Sequence, residues 1–179
     1  MDRRSRVNIR IITSVCVVIG VGAFAHPANT QTQSTVRNPV RKEAIMTTRA
    51  SGTFEVKITP QTPDDKSGGA TVGRYSLDKH FHGGIEGTSK GEMLAVGTAV
   101  NGSAGYVAME QVTATLNGRT GTFALQHTGT MTRGAPQLSV TVVPDSGAGQ
   151  LSGLSGKMTI NIVDGKHLYE FEYSIAETP

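Results

Sequence analysis

The stretch GYVAMEQVTATLNGRTGTFALQHTGTM, residues 105–131, reads as two β-strands joined at Asn117-Gly118. Both central residues of a two-residue type I′ turn need positive φ, and Asn-Gly supplies that conformation at least strain. Pairing Leu116 with Arg119 then sets Val112 opposite Phe123, Glu110 opposite Leu125 and Ala108 opposite His127. In this register the apolar residues of both strands share one face. A slip of one residue would send one strand's set to the other side. Glu110 and His127 stand on that apolar face, a place where water is scarce.

A second hairpin follows the same logic. Asp164-Gly165 joins Val163 to Lys166, so that Ile162 meets His167, Ile160 meets Tyr169 and Met158 meets Phe171. Elsewhere from Thr48 onward, alternation of period two recurs between Gly, Asn and Asp turns, and no 3.6-residue stripe survives. Phe54, Val56 and Ile58 form one inward set, with Tyr75, Leu77 and Phe81 as another. Further sets are Leu94 with Val96, Leu138 with Val140 and Val142, and Tyr169 with Phe171, Tyr173 and Ile175. About eight strands fit between residues 50 and 175. Antiparallel strands with one apolar face and no helix to cover it must close on themselves or stack as a sandwich. Closure removes exposed edges, and the 22 glycines suit the bends of a tight barrel. The expectation is all-β, an eight-stranded antiparallel closed β-barrel over residues 48–178.

Residues 1–25 are of another kind. Arg3, Arg4, Arg6 and Arg10 precede an apolar run that ends at Ala23-Phe24-Ala25. A basic region, a short apolar region and an A-x-A exit describe a secretory signal peptide. Cleavage after Ala25 predicts a secreted or periplasmic protein, with membrane contact only through the segment while uncleaved. It would also remove Cys16, the single cysteine, so that no disulfide could form. Four Arg and one Asp would leave with it, from 17 basic and 14 acidic residues, so 13 of each remain. Without a basic surface, nucleic-acid binding has no electrostatic footing. Residues 26–47, rich in Thr, Gln, Asn and Pro, read as a flexible linker. Met46 offers an alternative start for a shorter cytoplasmic form.

At VVPDSGAGQLSGLSGKMTI, residues 142–160, the spacing of Gly147, Gly149, Leu151, Gly153-Leu154 and Gly156 resembles the glycine signature of allene oxide cyclase and dirigent-type barrels. GTSKGEML (87–94), GSAGYVAME (102–110), GTFALQH (121–127) and VVPDSG (142–147) resemble a bacterial domain family of unknown function grouped with those barrels. The resemblance spans residues 46–177. It implies an allene oxide cyclase-like barrel with a small apolar cavity. No catalytic residue carries over from it.

Three constellations carry candidate chemistry. Gly147-x-Gly149 is followed by a strand rather than a helix N-terminus, so it reads as a bend and not a phosphate loop. His80-x-His82 with Glu86 resembles the first metal motif of the cupins, a donor set suited to Mn, Fe, Ni or Zn. A second cupin motif is missing, and both histidines share parity with Arg74, Ser76 and Asp78, the polar face. No metal ligand and no cofactor is therefore assigned.

The third constellation is Glu110 with His127, diagonal neighbours on the inner face within reach of long side chains. Tyr106 lies on the same face. These three form the candidate catalytic group, with Glu110 as base or acid and His127 or Tyr106 as partner. Tyr169, Tyr173 and His167 from the last strand, and Glu92 turned inward with Leu94, are expected to line the cavity. A mostly apolar cavity with a few convergent polar groups suits a small apolar molecule. The functions open at this point are a cofactor-free isomerase or cyclase, a non-catalytic lipocalin-like binder and a metal-dependent cupin-like enzyme. A purely structural hydrogen-bonding network is the alternative for the three residues themselves. Self-association into a homo-oligomer stays open.

Overall fold

A computed structural model describes residues 47–61 and 70–176. The expected signal peptide and nearly all of the linker lie outside them. Nine strands follow one another: β1 (Thr48–Pro60), β2 (Ala70–Gly83), β3 (Ile85–Thr98), β4 (Ala104–Leu116), β5 (Arg119–Thr132), β6 (Ala135–Val142), β7 (Ala148–Gly149), β8 (Leu154–Val163) and β9 (Lys166–Ile175). Neighbours run β4-β3-β2-β1-β9-β8-β6-β5, and β4 pairs with β5 to close the ring. The result is a closed eight-stranded antiparallel barrel, with the two-residue β7 laid outside against Gly121 and Thr122 of β5.

Turn chemistry sets both anticipated hairpins. Asn117 and Gly118 take φ of 44° and 86°, Asp164 and Gly165 take 51° and 75°, and the two registers are those read from the sequence. A third turn of the same kind, Arg133-Gly134 with φ of 48° and 90°, joins β5 to β6.

Strand β3 corrects an expectation. Leu94 and Val96 lie on the outer face and are exposed, as is Glu92, so none of them turns inward. The register explains why. Gly91 stands opposite Glu110 and Ser89 opposite Val112, so the inner face of β3 carries Ile85, Gly87, Ser89, Gly91 and Met93. Directly opposed residues share a face of the sheet. Small residues are required there, since a Cβ on Gly91 would lie 2.6 Å from the Cβ of Glu110 and 2.3 Å from the Met109 carbonyl oxygen.

One end of the barrel is sealed. Ile85, Leu116, Leu151, Leu154 and Phe171 are buried there, with Phe123 and Phe171 stacked at 5.9 Å and Phe171 and Tyr173 at 5.3 Å. Burying each such side chain stabilises the fold by about 1.5–3 kcal/mol. The glycine-rich segment between β6 and β8 carries Leu151 into this core, so its bends are structural, and Ser146 Oγ ties it to β5 by accepting from the Ala124 N–H at 3.0 Å.

Among the described residues, nothing closes the opposite end. Strands β6 and β8 pair only at Val140↔Met158 and Thr141↔Lys157, leaving 135–139 and 159–163 unpaired with each other. Pairing of β1 with β9 stops at Phe54↔His167, and residues 55–60 continue against β2 alone. Alternation points Ile58, Met131, Leu138 and Ile162 inward here, yet all four are exposed, Ile162 to 66%.

Candidate functional site

A polar network lies in the barrel between the sealed end and the open end. Its centre is Glu110 on β4, whose side chain has no solvent exposure. Glu110 Oε1 accepts from Lys79 Nζ at 2.8 Å and from His127 Nε2 at 2.8 Å, while Oε2 accepts from Ser89 Oγ at 2.7 Å. Lys79 comes from β2, Ser89 from β3 and His127 from β5, so four adjacent strands each contribute one residue. Among the described residues, no buried side-chain nitrogen or oxygen lacks a partner.

The electrostatics follow from this geometry. Burial pushes the Glu110 carboxyl up, but the hydrogen bond from His127 and the charge of Lys79 outweigh it and lower the pKa to about 2. Glu110 is therefore a fixed anion at neutral pH. An ionised carboxylate only accepts, so Nε2 of His127 carries the proton and donates it. In the neutral imidazole, Nδ1 is then the acceptor nitrogen. The Lys79 ammonium also sits over the ring of Phe54, 4.9 Å from its centroid, and 5.8 Å from that of Phe81. Those faces compensate a partly desolvated cation.

Tyr106 is half-buried and packs on Gly129, its directly opposed partner; a Cβ on Gly129 would fall 2.2 Å from Cε1 of the ring. Burial, and secondarily the charge of Glu110, raise the phenol's pKa, so it remains protonated. Tyr106 belongs to the wall of a hollow of about 260 Å³ at the open end, with Met93, Ala95, Met131 and Leu138. Along β5 the inward residues run Met131, Gly129, His127, Leu125, so His127 is the first polar side chain below that hollow.

The other anticipated residues separate into different places. Tyr169 and Tyr173 point inward, but their hydroxyls serve the sealed end. Tyr169 Oη accepts from the Ile85 N–H at 2.7 Å, and Tyr173 Oη accepts from Asn117 Nδ2 at 3.0 Å. His167 stacks on Phe54 at 4.9 Å and borders a second hollow of about 410 Å³ beside the β8–β9 turn. Glu92 joins Arg74 in an exposed ion pair on the outer face. His82 is outside too, between Glu86 at 3.2 Å and Glu55 at 3.1 Å. No group of three or more His, Cys, Asp or Glu is placed to hold a metal ion among the described residues.

A hollow of about 650 Å³ lies on the outer face, where Leu94, Val107, Met109 and Gln126 surround the Arg74–Glu92 pair. Ala108 and His127 can present only main chain to it, because their side chains point into the barrel. This groove offers an ion pair already satisfied by itself, and no buried polar group reaches it.

Lys79 and Ser89 were missed by sequence reasoning. The parity that assigns His80 and His82 to the polar face also places Lys79 inward with Leu77 and Phe81, so its signal was present. Ser89 had no comparable signal.

Residues 50–173 match the family model described as "Protein of unknown function (DUF3224)". A solved structure of a DUF3224 protein of unknown function from Shewanella oneidensis MR-1 is 50% identical to this chain. The match covers 74% of this chain and 100% of that one, with a TM-score of 0.70. No curated protein matches. The chain belongs to the DUF3224 family.

Proposed function

We propose that this is an exported barrel whose open end binds a small, largely apolar molecule, in the manner of the allene oxide cyclase-like barrels. The observation that carries this reading is the set of inward-facing apolar side chains left uncovered above a buried polar network. Exposed apolar surface rimmed by polar groups favours a ligand that removes it from water. Export rests on the pattern of residues 1–25.

Within this reading the catalytic roles change. A carboxylate with a pKa near 2 is too weak a base to take a proton from an organic substrate at neutral pH. His127 is the proton-accepting group, and Glu110 fixes its tautomer and orientation, the part a carboxylate plays behind a catalytic imidazole. The full satisfaction of Glu110 by three donors favours a second reading, a carrier with no turnover, in which the network only holds the barrel together.

Titration with the neutral fluorophore N-phenyl-1-naphthylamine tests the location. One saturable site is expected. Leu138→Glu at the open end should weaken it at least tenfold, with the circular dichroism spectrum unchanged. Leu94→Glu in the outer groove should leave it unaltered. Weakening by Leu94→Glu instead would move the site outside and defeat the proposal.

A further inference from the structure

We propose that the ligand is an apolar molecule bearing one hydroxyl group, and that this hydroxyl donates to Nδ1 of His127. The inference rests on the reading of the open end as a binding site and adds the chemistry of the ligand's polar group.

Nε2 of His127 is committed to Glu110, and Nδ1 has no hydrogen-bond partner among the described residues. Nδ1 is nevertheless not among any buried, unpartnered atoms, since there are none. It therefore keeps some accessible surface, consistent with the 4% exposure of the His127 side chain, whereas Glu110 has none. His127 is directed into the barrel, one inward position below Gly129 on β5, so we take the approach to Nδ1 to be from the interior. The hollow on that side is walled by Met93, Ala95, Met131 and Leu138, all without charge.

With His127 in its neutral form, a carbonyl or ether oxygen, which only accepts, would face the lone pair of Nδ1 with no proton between them. A carboxylate would meet the same lone pair as an anion, in a passage whose nearest cation, Lys79, is already paired with Glu110. An ammonium would find no free anion, because Lys79, His127 and Ser89 occupy Glu110. A neutral O–H both enters an apolar passage at modest cost and supplies the missing donor. A phenol fits best, since its ring can also pack against the half-buried ring of Tyr106.

The test compares 4-propylphenol with its methyl ether, 4-propylanisole, by isothermal titration calorimetry. The ether is the more hydrophobic of the two, so burial alone would make it bind at least as well. The phenol is expected to bind about tenfold more tightly. In His127→Leu the order should reverse. Should that variant fail to fold, long-range ¹H–¹⁵N correlation on the wild-type protein gives the answer: the Nδ1 resonance of His127 should move on adding the phenol and stay still with the ether. Equal or tighter binding of the ether, or an unmoved Nδ1 resonance, would overturn the hydroxyl assignment and leave the binding site standing. Failure of both compounds to bind would remove the binding site itself, and the assignment with it.

Discussion

The two ends of this barrel are built from the same eight strands and the same inward alternation, yet the inward side chains are buried at one and exposed at the other. At the sealed end the glycine-rich segment delivers Leu151, the tyrosine hydroxyls meet backbone or Asn117, and aromatic rings stack. At the open end, residues 135–139 and 159–163 are unpaired with each other, and Ile58, Met131, Leu138 and Ile162 face inward but remain exposed. Packing is thus concentrated where it stabilises and withheld where a molecule could enter. The difference teaches that inward orientation in a barrel is set by alternation, whereas burial has to be supplied by something that closes the end.

The sharpest break of this comparison truncates one large side chain at each end. Phe171→Ala removes a fully buried ring from the sealed end and should cost about 3–5 kcal/mol in urea unfolding. Met131→Ala, on the open rim, should cost no more than about 0.5 kcal/mol. Comparable losses would mean that the open end is packed after all.

A smaller effect belongs to the network between the ends. The folded pKa of Glu110 lies below its ordinary value of 4.5, at about 2. Stability from this shift is fully present above pH 4.5 and is lost as pH falls toward 2, because the unfolded chain takes up the proton first. A shift of this size corresponds to roughly 3 kcal/mol at full effect. Urea midpoints measured between pH 5 and pH 2.5 should fall more steeply for wild type than for Glu110→Gln. Parallel curves would show that Glu110 is not held as an anion.

Much of the fold was readable from residues 105–131 and 158–171, because Asn-Gly and Asp-Gly turns fix register and register fixes faces. Where no such turn anchored a strand, the reading failed. On β3 the apolar Leu94 and Val96 suggested the inner face, but the inner positions are Gly87, Ser89 and Gly91, small because the opposing strand crowds them. That crowding is a tertiary fact that alternation cannot express. Glu92 was misplaced for the same reason. Glu110, His127 and Tyr106 were legible as one face, but the protonation of Glu110 was not, since it depends on Lys79 from β2. The hydroxyl partners of Tyr169 and Tyr173 were not legible, because Asn117 and the Ile85 amide come to them through closure of the barrel rather than through local pairing.

The asymmetry itself is most directly tested by amide hydrogen exchange followed by mass spectrometry, with and without a saturating apolar ligand. Peptides covering 135–139 and 159–163 should exchange quickly in the free protein and slow when ligand is bound. Those covering the sealed-end parts of β4, β5 and β9 should be protected in both states. Uniform protection along the strands of the free protein, or slowing confined to the outer groove, would contradict a barrel closed at one end and receptive at the other.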